Sequence, residues 1–335
     1  MPSIIQVALD TPVDSLFDYT LVEDGPLPAP GSLVEVSFGR TRQIGVVLKI
    51  ADSSTLAPGK LKPILRHLTD RPGLPLDLLQ FAQFCAAYYH YPLGPILLAA
   101  LPPRLRDASP WTRAARWLSL TEAGRSAEPP VKAHAQRQLL TLLQSRQCLH
   151  RDEIRQHGHS RHVATLVASG WAQWQALAPQ SASPPEKGDL PVATAAQQHV
   201  LAALLPALDR FGVHLLHGAT GSGKTEIYLR LIEAVHTCGR QTLVLIPEIA
   251  LTPQLENNFR SRFPGYRIAV LHSGLNHGAR AENWLAAADC DLLLGTRLSV
   301  FAPMPRLGLI VVDEEHDTSF KQQEGLRYSA RDMAI

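Results

Sequence analysis

The chain has 335 residues, 45% of them hydrophobic, with a mean hydropathy near zero and a formal net charge of +2. That length leaves room for two or three domains with real cores. No uninterrupted apolar run approaches the ~18 residues that span a bilayer. Met1 to Gln6 also lack the basic and apolar segments of a secretory leader, so a cytoplasmic protein with no membrane partner is expected. Cys85, Cys148, Cys238 and Cys290 are scattered and form no C-x-x-C, which argues against a disulfide framework or a zinc site in these residues. The net charge neither demands nor excludes nucleic acid, but it is unevenly spread. Between Leu101 and Val163, eleven Lys and Arg stand against five Asp and Glu, with five His besides, which reads as a phosphate footprint or as a solvated basic face.

In chain order, residues from Ser3 to about Leu68 alternate in period two. Ser3–Leu9, Phe17–Leu21, Leu33–Phe38 and Gln43–Ile50 predict strands of a small β-barrel or compact sheet, punctuated by Pro and Gly. Leu74 to Ala100 has helical spacing, with Leu78, Phe81, Cys85 and Tyr88 on one face and Pro92 as a breaker. Gln136 to Trp174 predicts three short helices and a small strand at Gly170–Trp174, a winged-helix pattern. Residues 179–192 are a Pro- and Ser-rich linker. Domains are therefore expected at 1–105, 106–178 and 193–335.

Beyond the linker stands Gly218-Ala219-Thr220-Gly221-Ser222-Gly223-Lys224-Thr225, which fits the phosphate-cradling pattern G-x-x-x-x-G-K-[ST]. The apolar run His214–His217 predicts a buried strand before it, and Glu226 to His236 a helix after it. Glycines let several backbone N–H groups point at one phosphate, and a helix N-terminus adds positive dipole there. Gly218, Thr220, Gly221, Ser222 and Gly223 would cradle the phosphates of ATP. Lys224 would reach the β and γ phosphates, and Thr225 would ligate Mg²⁺. Further on, the apolar strand Leu307–Val312 delivers Asp313-Glu314-Glu315-His316. Asp313 suits the Mg²⁺ shell, and Glu314 suits orientation or deprotonation of a water.

Between these motifs, Thr242–Ile246, Ile268–Leu271 and Asp291–Thr296 predict strands, and Thr252–Phe263 and Gly278–Ala288 predict helices. This βαβ rhythm implies an α/β parallel sheet with helices on both faces and ligands at the carboxyl ends of the strands. Thr252 would cap its helix and present N–H groups to an anion. Thr296 and Arg297 are suited to phosphate contact.

The strings GATGSGKT, PEIALTPQ, LHSGL, GTR and DEEH, in this order, resemble motifs I, Ia, Ib, Ic and II of a superfamily 2 helicase. The stretch His316 to Asp332 is similar to the aromatic-rich loop of the PriA family of bacterial replication restart helicases. So are Leu16–Tyr19, Val36–Arg40, Gln43–Val47, Tyr88–Gly94 and Leu101-Pro102, which look like that family's DNA 3′-end-binding domain. Leu326 and Ser329 depart from the Trp and His common in the loop. The resemblance implies a RecA-like lobe preceded by the 3′-end-binding domain and a DNA-binding winged helix. It implies a terminal-nucleotide pocket lined by Phe17, Asp18, Tyr19, Gly39 and Lys62, base stacking by Phe320 and Tyr328, and an adenine-reading glutamine at Gln197 or the adjacent Gln198. Lys224, Asp313, Glu314 and His316 take the catalytic roles.

On this resemblance the expected function is that of an ATP- and Mg²⁺-dependent 3′ to 5′ DNA helicase of replication restart. It would act on forked and single-stranded DNA, with single-strand binding protein and other primosome proteins as partners at the bacterial nucleoid. Motif III, the second lobe and the family's zinc insert do not occur before Ile335, so the chain is expected to be an N-terminal fragment with weak or no turnover. A 3′-end DNA-binding module without turnover and an unrelated P-loop translocase are the alternatives.

Overall fold

The computed structural model describes residues 4–21, 27–111, 117–129, 133–146, 148–175, 192–219 and 221–335. Residues 1–111 and 189–335 form one compact unit and residues 112–188 a second.

The N-terminal part is built on β1 (Ile4–Ala8), β2 (Phe17–Thr20), β3 (Leu33–Phe38), β4 (Thr41–Ala51) and the two-residue strands β5 (Lys62–Pro63) and β6 (Arg66–His67). They form one sheet in the order β5-β2-β1-β4-β3-β6. The period-two pattern gives it two apolar faces. Ile5, Val7, Tyr19, Val34, Val36, Val47 and Ile64 fill one, with Phe17 and Phe38 against them. Ala8, Leu33, Ile44 and Val46 face the other, where helices α1 (Leu76–Tyr89) and α2 (Leu93–Ala100) pack. The α1–α2 break falls at Pro92, which precedes the first turn of α2. The domain ends on a polar clamp. Buried Arg71 donates to the carbonyls of Leu105, Asp107 and Ser109 at 2.8–3.0 Å. Its bond to Asp70 holds that carboxyl down at about 2.

The second unit holds β7 (Trp117–Leu120), α3 (Glu122–Arg125), α4 (His134–Arg146), β8 (Cys148–His150), α5 (Arg151–Gln156), α6 (Ser160–Ala168) and β9 (Ala172–Gln175). The strands pair antiparallel in the order β8-β7-β9, and Leu118, Leu139, Leu143, Leu149, Ile154 and Leu166 make its core. The Arg151 guanidinium sits 4.9 Å over the Trp174 ring. Arg113 and Arg116 of the basic stretch, and most of the 179–192 linker, lie outside the described residues.

The chain then returns to the first unit through α7 (Ala195–Leu204), α8 (Lys224–Thr237), β10 (Gln241–Leu245), α9 (Pro253–Arg262), β11 (Ile268–Leu271), α10 (His277–Ala286), β12 (Leu292–Gly295), β13 (Leu307–Val312) and the single turn α11 (Ala330–Met333). The four strands are parallel in the order β11-β12-β10-β13. Alternation again divides them. Val244, Val270, Leu292 and Leu294 pack with Tyr228 and Ile232 of α8 and Phe259 of α9. Leu243, Leu245, Leu271 and Leu293 pack on the opposite face with Trp284 of α10, and in the same cluster as Leu78, Ala82 and Cys85 of α1.

Two expectations are corrected. His214–His217 is not a strand: β13 ends the described sheet, and Val213 and Leu215 are 59% and 76% exposed. Apolar residues alone do not make a strand when no neighbouring strand takes up their backbone groups. Leu216 alone turns inward, against Leu201, Ile227 and Leu231. Tyr88 does not join Leu78 and Cys85 on the buried side of α1, being 60% exposed.

The closest backbone approach in the N-terminal domain is at Gly94, where a Cβ would lie 1.8 Å from the Leu9 carbonyl oxygen. Gly94→Ala is therefore expected to destabilise the chain by about 1–3 kcal/mol, the usual cost of overpacking, read as a lower midpoint in urea. An unchanged midpoint would show that α2 can slide on β1.

Candidate functional site

The phosphate loop runs from Gly218 into the first turn of α8. Gly221 and Gly223 have φ of 80° and 84°, in the left-handed region that a side chain opposes. They turn the chain so that α8 starts at Lys224 with its N-terminal N–H groups facing the loop. The Lys224 Nζ folds back onto the carbonyl oxygens of Gly218 at 2.6 Å and Ala219 at 3.3 Å. Its ammonium thus lies over the loop mouth. A Cβ at Gly218 would come within 2.8 Å of the Ser222 Oγ. Thr220 lies outside the described residues.

Gln197 is fixed from two sides. It completes a capping box with Thr194 at the start of α7, and its Nε2 donates to the Gly223 carbonyl at 3.1 Å. The structure thus brings Gln197 to the loop, whereas the side chain of Gln198 turns to the Ala193 carbonyl.

The acidic motif follows β13, which pairs with β10 so that Val312 lies beside Leu245 and the Asp313 N–H reaches the Leu245 carbonyl. The Asp313 Oδ2 accepts from the Tyr228 hydroxyl at 3.5 Å. Burial, and then the neighbouring Glu314 charge, push the Asp313 carboxyl above the ordinary aspartate range. Burial and the Asp313 charge push Tyr228 up to about 12. The Thr225 side chain lies beside Tyr228 and favours its ionised form, so this tyrosine stands between the end of the phosphate loop and the acid. Sequence reasoning missed Tyr228. Its signal is the i,i+3 spacing from Thr225, which puts both on one face of the first turn of α8. Glu314 has φ 48°, a rare setting for a side-chain-bearing residue, and stands 3.8 Å from the exposed His316. Local strain at an acidic motif is a mark of functional positions.

The other predicted residues fall in two groups. Thr252 caps α9, accepting from the Leu255 N–H at 3.3 Å. Thr296 is buried, and Arg297 beside it donates to the Ser319 carbonyl at 3.2 Å and lies 3.9 Å from Glu248. Phe320 and Tyr328 are 2% and 3% exposed, so neither ring face is open to a base in this conformation. Both instead join the cluster shared with α1, where Tyr328 meets Phe301 edge-on at 5.2 Å.

In the N-terminal sheet the residues expected to line one pocket divide between two faces. Phe17 packs edge-on against Phe38 at 4.9 Å, and the Tyr19 hydroxyl donates to the Ser37 carbonyl. Lys62 pairs in register with Tyr19, and Gly39 makes the β3–β4 turn with φ 58°. Asp18, one residue out of phase, points the other way. It accepts from the Gln6 Nε2 at 2.8 Å and the Ser54 Oγ at 2.5 Å.

The arrangement defines a class: a P-loop protein in which an N-terminal β-sheet domain shares a core with a parallel α/β nucleotide-type lobe. Comparison with known families agrees. Residues 6–102 match the model of the PriA 3′ DNA-binding domain (3′BD), and residues 194–334 match that of DEAD/DEAH box helicases. The replication restart protein PriA of Haemophilus influenzae is 34% identical over 99% of this chain and 47% of its own length. That of Chlamydia pneumoniae is 31% identical over 98% and 46%, and that of Bacillus subtilis 50% identical over 38% and 16%. The chain belongs to the PriA family, and it spans about half the length of the full-span relatives it matches.

The Asp313 shift has a definite sign. A carboxyl raised in the folded state stabilises it fully below the unfolded aspartate value and loses that contribution as pH rises through the folded value. At neutral pH the buried charge is a net cost. Asp313→Asn is therefore expected to raise the thermal midpoint of the nucleotide-free chain at pH 7 by roughly 1–3 °C while removing Mg²⁺-dependent nucleotide binding. A lower midpoint would contradict the burial argument.

Proposed function

We propose that the chain is the DNA-end-reading and nucleotide-binding part of an ATP-dependent 3′ to 5′ DNA helicase of replication restart, acting at forked DNA and helping to reload the replicative helicase. The observation that carries this reading is the joint presence, in one compact unit, of a sheet matching the 3′ DNA-binding domain and a P-loop facing a half-buried acid. In this reading Gly218 to Thr225 hold the triphosphate of ATP and Gln197 lies at the adenine side. Asp313 belongs to the Mg²⁺ shell, and Glu314, with His316 beside it, handles the attacking water. The second unit is a winged-helix module whose basic stretch meets phosphates. Single-strand binding protein and other primosome proteins are the partners, at the nucleoid. Among the described residues no helix is long and apolar enough to cross a membrane.

The residues fit a magnesium ion. A half-buried carboxylate, destabilised by its own desolvation and by a second carboxylate, favours a cation beside it. Thr225 and Asp313 lie on either side of Tyr228 and offer one hydroxyl and one carboxylate oxygen. Mg²⁺ takes few protein oxygens and fills its shell with phosphate and water. When bound it neutralises charge developing on the transferred phosphoryl group. Among the described residues no group of three or more His, Cys, Asp and Glu is placed to hold a metal by itself.

The chain's own residues do the rest. Lys224 must leave the Gly218 and Ala219 carbonyls for the phosphates, so nucleotide binding exchanges two neutral acceptors for charged ones. Lys224→Ala is expected to abolish binding of a fluorescent ATP analogue by the 335-residue chain. That chain supplies one side of the nucleotide, so its turnover is expected to be slow. Robust DNA-stimulated hydrolysis would favour a complete site within these residues.

The DNA-end reading has its own test. A carboxylate near DNA is repelled by phosphate. Asp18 is nevertheless held in place by Gln6 and Ser54, as an acceptor for a free 3′-hydroxyl. The chain is expected to prefer a 3′-hydroxyl strand over the same strand ending in a 3′-phosphate by about 1–3 kcal/mol, the range of a hydrogen bond to a charged acceptor. Asp18→Ala should erase most of that preference in fluorescence anisotropy at fixed salt. Equal binding of both ends by the unmutated chain would remove Asp18 from the pocket.

A further inference from the structure

Helix α1 is apolar on two sides, and only one is covered. Leu78, Leu79, Ala82 and Cys85 are buried. Leu76, Phe84 and Tyr88 are 63%, 55% and 60% exposed, and with Gln80 they fall on one line at i,i+4 spacing. Phe84 and Tyr88 stack on each other with ring centroids 5.7 Å apart and planes 23° apart. Tyr88 is braced from the side by Tyr89, edge-on at 4.9 Å. Single exposed apolar residues are ordinary. Two stacked and braced rings, each more than half exposed on a regular helix, form a flat apolar surface that water solvates poorly.

The loop beside this surface carries two cations, while the charge felt by Tyr89 is that of the acidic Asp332. The Tyr89 hydroxyl accepts from the Ser329 N–H at 3.4 Å, and Ser329 forms an isolated antiparallel bridge with Lys321. A Cβ at Gly325 would lie 3.9 Å from the Tyr91 hydroxyl. The loop 321–329 therefore runs along the C-terminal turn of α1. It carries Lys321 and Arg327, both exposed, and neither is in an ion pair among the described residues. Its one acid is Glu324. The loop's own aromatics are not available, since Phe320 and Tyr328 are spent on the core that holds the loop against α1.

We propose that Phe84 and Tyr88 form a stacking platform for the bases of single-stranded DNA, with Lys321 and Arg327 meeting its phosphates. Any base has a π-face, so such a platform is tolerant of sequence, and paired cations beside it favour a polyanion over an apolar protein partner. The strand would cross from the DNA-binding domain to the loop that follows the acidic motif. This inference rests on the DNA-binding reading given above, and it places the exposed stacking rings on the helix instead of on the loop.

The test uses the 335-residue chain and fluorescein-labelled oligothymidylate in anisotropy titrations at fixed salt, with intact strands and strands carrying abasic sites. The unmutated chain is expected to bind the abasic strand roughly tenfold more weakly than the intact one. The double variant Phe84→Ala, Tyr88→Ala removes two side chains that are more than half exposed and lie outside the buried core, so it should shift the thermal midpoint little. It should bind the intact strand roughly tenfold more weakly and no longer distinguish the two strands. Lys321→Ala with Arg327→Ala should lower the slope of log K against log salt by about 1.4, the value for two phosphates on a single strand. A double aromatic variant that binds the intact strand like the unmutated chain overturns this proposal alone. Equal loss on both strands overturns it too, since the rings would then act without stacking. An unmutated chain that does not bind single-stranded DNA overturns the DNA-binding reading as well.

Discussion

The first unit depends on one continuous apolar cluster. It begins under the N-terminal sheet at Ala8, Leu33 and Val46, runs through Leu78, Ala82 and Cys85 of α1, and ends between the parallel sheet and the loop after the acidic motif. The joint is dense where the two halves meet. The Cys85 Sγ lies 3.2 Å from the Met333 Sδ, and the Phe81 ring lies 5.6 Å from that of Phe301. Burial of this kind is roughly proportional to area and has no preferred direction. Its effect here is nonetheless specific. It fixes the helix that borders the N-terminal sheet against the segment that starts at the acidic motif.

That joint gives the loop 317–329 its form. The Asp317 carboxylate caps a short turn by accepting from the Ser319 N–H, Arg297 takes the Ser319 carbonyl, and the Tyr328 hydroxyl donates to the Arg297 carbonyl. These bonds lie between the buried rings of Phe320 and Tyr328. A displacement of α1 would have to break that packing or carry the loop with it, because close-packed interiors shift in discrete steps. The DNA-binding domain and the acidic motif are in this sense mechanically adjacent, although Tyr19 and Asp313 are far apart in sequence.

The strained and the costly elements sit at the same place. Glu314 holds a left-handed backbone, and Asp313 carries a charge that its surroundings disfavour. Neither helps folding. A cation would offset the second of these costs, which is how a site trades stability for ligand binding.

Much of this was legible from residues alone. Period two marked β1, β2, β3 and β4 to within two residues, and the phosphate loop was fixed by spacing, because only glycine tolerates the turns at Gly221 and Gly223. Gln197 emerged beside Gln198 from its distance to the loop, and the contact to the Gly223 carbonyl separated the two. What the sequence left undecided was which apolar surface finds a partner. His214–His217 has the composition of a strand, yet no strand lies beside it in the described sheet. Tyr88 has the spacing of a core residue and is exposed, while Phe320 and Tyr328 have the type of base-stacking residues and are buried. Local pattern states which side chains avoid water and at what period they recur. Whether each one meets a helix, a sheet or solvent is a property of the assembled neighbours, and in this protein only the tertiary packing decided it: α1 against the parallel sheet for the aromatics, and the end of the described sheet at β13 for His214–His217.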